Sequence, residues 1–156
     1  MKVIVIGPRG KMGKLITQVA AERNDMELVA GVAPAGRDYV GQDLGMVALI
    51  GRNLGVPVVD DLAAVIDDCD VIIDFSTREN ALKVLDLAVK HGKALVCGTT
   101  GFSEEEFGRF KEAAKTIPML YAANTSKLVN IMNKLLEMVT KTLGEDADIE
   151  ILEMHD

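Results

Sequence analysis

The sequence predicts an α/β protein, a parallel sheet wound with helices on both faces. Short apolar runs, most of them rich in Val and Ile, recur at residues 3–6, 28–32, 58–59, 71–73, 94–97 and 119–123. They are continuous rather than alternating, the pattern of strands covered on both faces. The stretches between most of them carry apolar residues at helical spacing, and strands that alternate with helices pair in parallel through crossovers.

Taken in chain order, residues 1–6 form the first strand. A turn with three glycines follows, and then a helix with Met12, Leu15, Ile16 and Val19 on one face. After the second strand, residues 34–55 hold Gly36, Gly41, Gly45, Gly51 and Gly55 and one compact apolar run, which predicts irregular chain with one short helical turn. Ala81, Leu82, Leu85 and Ala88 mark the next helical face, and Phe107, Phe110 and Ala114 the one after. Ser76 with Glu79 and Ser103 with Glu106 have the S-x-x-E spacing of a capping box, while Gly92 and Gly144 stand where helices stop.

Residues 127–143 read as one long amphipathic helix. Residues 148–155 read as a strand whose Glu150 and Glu153 turn one face to water or to a ligand. A chain that stops on such a strand reads as the opening of a second domain. The expected division is a dinucleotide-type α/β domain at 1–125 and the beginning of an α+β domain at 126–156.

Composition narrows the function. A chain of 156 residues, 49% hydrophobic and 26% charged, has the makeup of an ordinary globular domain. A net charge of −7 supplies no basic field for a nucleic-acid backbone or an anionic membrane surface. No run approaches the roughly 20 apolar residues of a membrane span, and the N-terminus lacks a signal-peptide pattern. Cys69 and Cys97 are too few for a disulfide framework and are expected to be free thiols in a reducing cytoplasm. No Cys/His/Asp spacing suggests a metal site, and no Ser-His-Asp or Cys-His arrangement suggests a nucleophile. His91, next to Gly92, is read as structural.

The turn after the first strand reads Gly7-Pro8-Arg9-Gly10-Lys11-Met12-Gly13. In a strand-to-helix crossing the first glycine permits the tight turn, the second lets main chain approach a pyrophosphate, and the third lets helix pack on strand. The helix N-terminus then faces the anion. The spacing is G-x-x-G-x-x-G, with Arg9 where a second glycine usually stands. An acid that would accept from the adenosine ribose belongs about 20 residues further on, but Ala33-Pro34 occupy that place and Asp38 lies beyond them. Arg9, Lys11 and Arg37 are available to a ribose 2′-phosphate, so both NADPH and NADH are candidate coenzymes. Asp74-Phe75-Ser76 and Gly98-Thr99-Thr100 end two further strands, where ligands of open parallel sheets collect. There Gly98 is expected to admit a flat ring, and the threonines to offer hydroxyls and amides.

Together with Ala123-Asn124-Thr125-Ser126 and Glu150-Ile151-Leu152-Glu153-Met154-His155, these motifs resemble the dihydrodipicolinate reductase (4-hydroxy-tetrahydrodipicolinate reductase) family of lysine and diaminopimelate biosynthesis. The resemblance runs in order along the whole chain and is most specific at the G-T-T-G-F turn and the I-E-I-x-E-x-H segment. It implies a Rossmann-like coenzyme domain and an oxidoreductase that transfers hydride from NAD(P)H to a small cyclic imine, giving tetrahydrodipicolinate. It further implies a homotetrameric assembly in the cytoplasm.

By the same resemblance Gly7, Arg9, Gly10, Lys11, Met12 and Gly13 hold the pyrophosphate and adenosine side. Phe75, Ser76 and Thr77 lie along the coenzyme, Gly98 and Thr100 seat the nicotinamide, and Ala123, Asn124 and Thr125 complete the coenzyme-binding set. Thr100 and His155 are the implied substrate contacts, and His155 is the implied general acid, apt for a side chain with an ordinary pKa near ~6.5. Asp156 stands where the family commonly has a second histidine, Thr125 replaces a common Phe or Met, and Leu128 replaces a glycine. The catalytic lysine and P-S-G-T turn that follow in the family are not among the 156 residues. Two other readings stay open: an NADP(H)-binding module without catalysis, and another amino-acid or semialdehyde dehydrogenase of this architecture.

Overall fold

A computed structural model describes residues 1–152 and 154. The chain forms two compact units, Met1–Ala123 and Asn124–Asp156. The first is built on six parallel strands, β1 (Lys2–Ile6), β2 (Glu27–Val32), β3 (Val58–Val59), β4 (Val71–Asp74), β5 (Ala94–Cys97) and β6 (Met119–Tyr121). They are ordered β3-β2-β1-β4-β5-β6. Helices α1 (Lys11–Glu22), α2 (Leu44–Val47), α3 (Arg78–His91) and α4 (Glu104–Ala113) lie between them. This is the expected doubly wound, Rossmann-like fold. Strand order reverses between β1 and β4, the place where open α/β sheets bind ligands.

The unbroken apolar runs follow from burial on both faces. Within β1, Ile4 and Ile6 join the large core with Ile72, Leu95, Leu85 of α3 and Phe110 of α4, whereas Val3 and Val5 point to the opposite layer with Val71. Val3, Ile4, Val5 and Ile6 are all 3% exposed or less. The short helix α2 is the one helical turn expected within residues 34–55. The rest of that loop hangs on Asp43, whose carboxylate accepts from the backbone N–H groups of Gly45, Leu54, Gly55 and Val56 at 2.8–3.3 Å.

Four sequence expectations are corrected. The buried face of α1 is Gly13, Thr17 and Ala20, while Met12, Leu15 and Val19 are 38%, 55% and 58% exposed. The cause is Gly13: a Cβ there would collide with the Gly7 carbonyl, so α1 docks through its small residues and turns its long ones outward. In α4 the second buried position is Ala113 rather than Ala114. The N-cap of α3 is Thr77, not Ser76, because the Asp74 carboxylate accepts the Ser76 N–H and delays the helix by one residue. Ser103 and Glu106 do form the expected capping box on α4, and Gly92 ends α3 in the left-handed region at φ +64°.

The second unit contains α5 (Lys127–Leu143), capped by the Ser126 hydroxyl, followed by a 3-10 turn at Gly144–Asp146. The fourth correction falls here: residues 148–152 and 154 form no strand. A strand needs a neighbour to satisfy its N–H and C=O groups, and all six strands of the described residues lie in the first unit. Ile151 and Leu152 are accordingly 82% and 94% exposed. Among the described residues no helix is long and apolar enough to cross a membrane.

Candidate functional site

The glycine turn is shaped by three separate demands. Gly7 sits at φ +68°, a left-handed conformation that only glycine adopts without strain, and its N–H donates to the Val32 carbonyl at 2.8 Å. The Gly10 N–H donates back to the Gly7 carbonyl at 3.0 Å and closes the turn. Gly13 brings α1 against that same carbonyl.

Helix α1 then begins without a cap. Its N-cap is Gly10, no side chain accepts from its first turn, and no acidic residue stands there. The first N–H groups of a helix have no partner within it. Every other α-helix among the described residues resolves this with a side chain: Asp43 for α2, Thr77 for α3, Ser103 for α4 and Ser126 for α5. At α1 alone the amides and the positive end of the helix dipole are left for an anion.

Beside this helix start lies a cleft of about 660 Å³ between the tips of β1, β2, β3 and β4. Gly7, Gly10, Phe75, Ser76 and Thr77 line it, as do Ala33 and Arg37. Lys11 and Met12 form the exposed first turn of α1, and Gly13 lies buried behind them. No carboxylate ends β2: Ala33 is 4% exposed and packs with Leu44, Val47 and Val58. Arg9 is bound by the loop, with Nη1 2.8 Å from Asp38 Oδ1 and its guanidinium 4.9 Å above the Tyr39 ring.

The tips of β4 and β5 interlock. The Gly98 N–H donates to the Asp74 carbonyl at 2.9 Å, and a Cβ on Gly98 would run into the Phe75 ring. The Phe75 ring thus lies against Gly98. Asp74 is fully buried. One of its oxygens accepts from Ser76, the other has no protein partner, and burial pushes the carboxyl above the ordinary carboxylate range. The Thr99 hydroxyl is also buried and unpartnered, while Thr100 is exposed. Burial pushes the Cys97 thiol up to about 11, so it is not a thiolate nucleophile at neutral pH.

Among the expected site residues, the glycine turn, Phe75, Ser76, Thr77, Gly98, Thr100 and exposed Ala123 belong to the first unit. Asn124 and Thr125 belong to the second, where Asn124 Oδ1 accepts from the Ser126 N–H at 2.8 Å and its carbonyl accepts from Asn130 Nδ2 at 3.2 Å. His155 lies outside the described residues. His91 is held by Asp67 at 2.8 Å, in keeping with a structural role. Among the described residues no group of three His, Cys, Asp or Glu side chains could hold a metal. Sequence reasoning missed the buried Asp74 and the Phe75–Gly98 contact. The signal for both was an acid and an aromatic closing a strand opposite a glycine.

The cradle fits a diphosphate: free amides, a positive helix end, and no Cβ at Gly7 or Gly10 to block approach. Residues 1–125 match the sequence family described as dihydrodipicolinate reductase, N-terminus. The chain is 42% identical over 154 residues to the 4-hydroxy-tetrahydrodipicolinate reductase of Hahella chejuensis, covering 99% of this chain and 57% of that protein. It is 44% identical over 155 residues to that of Pseudomonas fluorescens, covering 99% and 58%. A dipicolinate-bound dihydrodipicolinate reductase from Paenisporosarcina sp. TG-14 superposes with a TM-score of 0.72 at 26% identity, over 90% of this chain and 53% of that one. The chain thus spans a little over half the length of the relatives it matches. With a family model matching residues 1–125 and relatives 42–44% identical along 99% of its length, the chain belongs to the dihydrodipicolinate reductase family.

Proposed function

We propose that this chain is the coenzyme-holding part of a 4-hydroxy-tetrahydrodipicolinate reductase, binding NADPH or NADH in the cleft at the β1 and β4 tips. The observation that carries the reading is the uncapped start of α1, alone among the five α-helices of the described residues in lacking a side-chain cap. Gly7, Gly10, Lys11, Met12 and Gly13 would hold the diphosphate, with Arg9 on the adenosine side. Phe75, Ser76 and Thr77 would run along the coenzyme, with Gly98 and Thr100 at the nicotinamide and Ala123, Asn124 and Thr125 completing the set. When bound, the reduced nicotinamide supplies a hydride to the cyclic imine, and the chemistry is the coenzyme's own.

The chain's residues supply position and a proton. Interlocked Phe75 and Gly98 fix the two strand tips relative to each other. Thr100, exposed and free to turn its hydroxyl, suits a substrate carboxylate. His155 takes the role of general acid that its family motif implies, delivering a proton near neutral pH. On the same family ground residues 126–156 begin the substrate domain, the whole protein assembles as a homotetramer, and it works in the cytoplasm on a small-molecule substrate without nucleic acid or membrane.

Titrating the purified chain against each reduced coenzyme by fluorescence, then adding freshly generated substrate, tests the reading. Saturable one-to-one binding followed by loss of coenzyme absorbance is expected of the reductase. Binding without turnover is the outcome of a second reading, a coenzyme-binding module without catalysis. Binding of neither coenzyme contradicts both.

A further inference from the structure

We propose that Asp74 and Thr99 are a pair of positioning residues under the tips of β4 and β5, unpaired in the free chain and joined by one hydrogen bond when coenzyme binds. The inference rests on the coenzyme reading above, but it concerns two side chains buried under the cleft rather than lining it. Asp74 closes β4 and is 0% exposed; Thr99, just past the end of β5, is 6% exposed. Asp74 stands opposite Cys97 in the parallel register. Burial raises the Cys97 thiol most, Asp74 adds to the rise and Thr99 opposes it, so both residues stand around one sulfur. Among the described residues, Asp74 Oδ2 and Thr99 Oγ1 are the buried side-chain polar atoms without a hydrogen-bond partner.

Buried polar atoms are almost always hydrogen-bonded, and one left unpaired costs the desolvation of its group. Two such atoms at neighbouring strand tips are stored strain, and each is a fitting partner for the other. A carboxylate accepts the Thr99 hydroxyl proton and a carboxyl group donates its own, so either protonation state gives one hydrogen bond. Asp74 is the fixed member: its Oδ1 accepts the Ser76 N–H at 2.8 Å and its carbonyl accepts the Gly98 N–H at 2.9 Å. Thr99 is the movable one, in the turn of residues 98–103 that has neither helical nor strand structure. Next to it Thr100 is exposed, and a ligand seated on Gly98 and Thr100 displaces the Thr99 between them. The same shift closes the gap to Asp74. A hydrogen bond made only in the bound state adds to coenzyme affinity, and it holds the Thr100 hydroxyl in place for substrate.

The test combines thermal unfolding without ligand and fluorescence titration with NADPH, on the wild-type chain, Thr99→Val and Thr99→Ser. Valine keeps the shape of threonine without the hydroxyl. Thr99→Val should raise the melting temperature by about 3 °C, because an unpaired buried group is gone. It should also weaken NADPH binding about tenfold, because the bond formed on binding is lost. Thr99→Ser keeps the hydroxyl and should bind NADPH within about twofold of the wild type. In chains labelled with ¹³C in aspartate, the Asp74 carboxyl resonance should move on saturation with NADPH in the wild type and in Thr99→Ser, and stay in place in Thr99→Val. A Thr99→Val chain that loses stability, or one that binds NADPH as the wild type does, shows a merely structural threonine and overturns the proposal. An Asp74 resonance that responds equally in the wild type and Thr99→Val does the same. A wild-type chain that binds neither reduced coenzyme contradicts the coenzyme reading itself, a failure distinct from unchanged affinity in Thr99→Val.

Discussion

Two helices of this domain, α1 after β1 and α4 after β5, begin in opposite ways. Helix α4 starts with a complete capping box: Ser103 accepts from the Glu106 N–H, Glu106 accepts from the Ser103 N–H, and three glutamates meet the positive end of the dipole. Helix α1 starts on glycine with no cap and no acid. The first arrangement satisfies the helix internally, and the second leaves its amides for something else. The difference supports the proposed binding role of the α1 start without reference to any relative.

The contrast can be broken most severely at Gly13. Gly13→Ala forces a methyl group into the Gly7 carbonyl, and a backbone obstacle cannot rotate away. A loss of about 3 kcal/mol in denaturant unfolding is expected, together with loss of coenzyme binding. Next is Asp43, which does for the loop after β2 what Ser103 does for α4. Asp43→Ala leaves four N–H groups without their acceptor and should cost about 2 kcal/mol.

The same residue gives a pH signature. Burial pushes the Asp43 carboxyl upward, but the N–H groups of Leu54, Gly45, Gly55 and Val56 outweigh it and hold the group below its ordinary 3.8. A depressed carboxyl stabilises the fold above its unfolded value and loses that stabilisation as pH falls through the folded one. Unfolding below about pH 4 should therefore be less pH-dependent in Asp43→Asn than in the wild type.

Removing the α4 cap with Ser103→Ala should cost about 1 kcal/mol and leave coenzyme affinity unchanged. The smallest change in stability is expected from giving α1 the cap it lacks. Gly10→Asp supplies a carboxylate to the free amides, but its Cβ would press on the Gly7 carbonyl at 3.2 Å. Stability should stay within about 0.5 kcal/mol of the wild type, while calorimetric affinity for the coenzyme falls at least about tenfold, the added charge repelling the diphosphate.

The sequence made most of the frame legible, for identifiable reasons. Burial on both faces gave β1, β2, β4 and β5 unbroken apolar runs, and the G-x-x-G-x-x-G turn announced itself by residue type. The face of α1 was misread because apolar spacing records which side chains are large, whereas the docking distance here is set by the missing side chain at Gly13. The Ser76 cap was misread because capping-box spacing is local and the Asp74 carboxylate reaches in from the strand. The strand at 148–155 was read from an apolar run interrupted by Glu150 and Glu153, which says nothing of whether a partner strand is near. The Arg9–Asp38 pair joins residues 29 positions apart and has no sequence signature. The isolated facts, a cation in the turn and a displaced acid, were visible, but not their meeting.

The central claim is that the amides opening α1 bind the coenzyme's diphosphate, and amide resonances report on that directly. In a titration of the isotope-labelled chain with NADPH followed by ¹H–¹⁵N correlation spectra, the amides of Lys11, Met12 and Gly13 should shift most, saturating together, while those of Glu104, Glu105 and Glu106 at the capped start of α4 stay in place. Saturable binding that leaves the Lys11, Met12 and Gly13 amides unmoved would contradict the account.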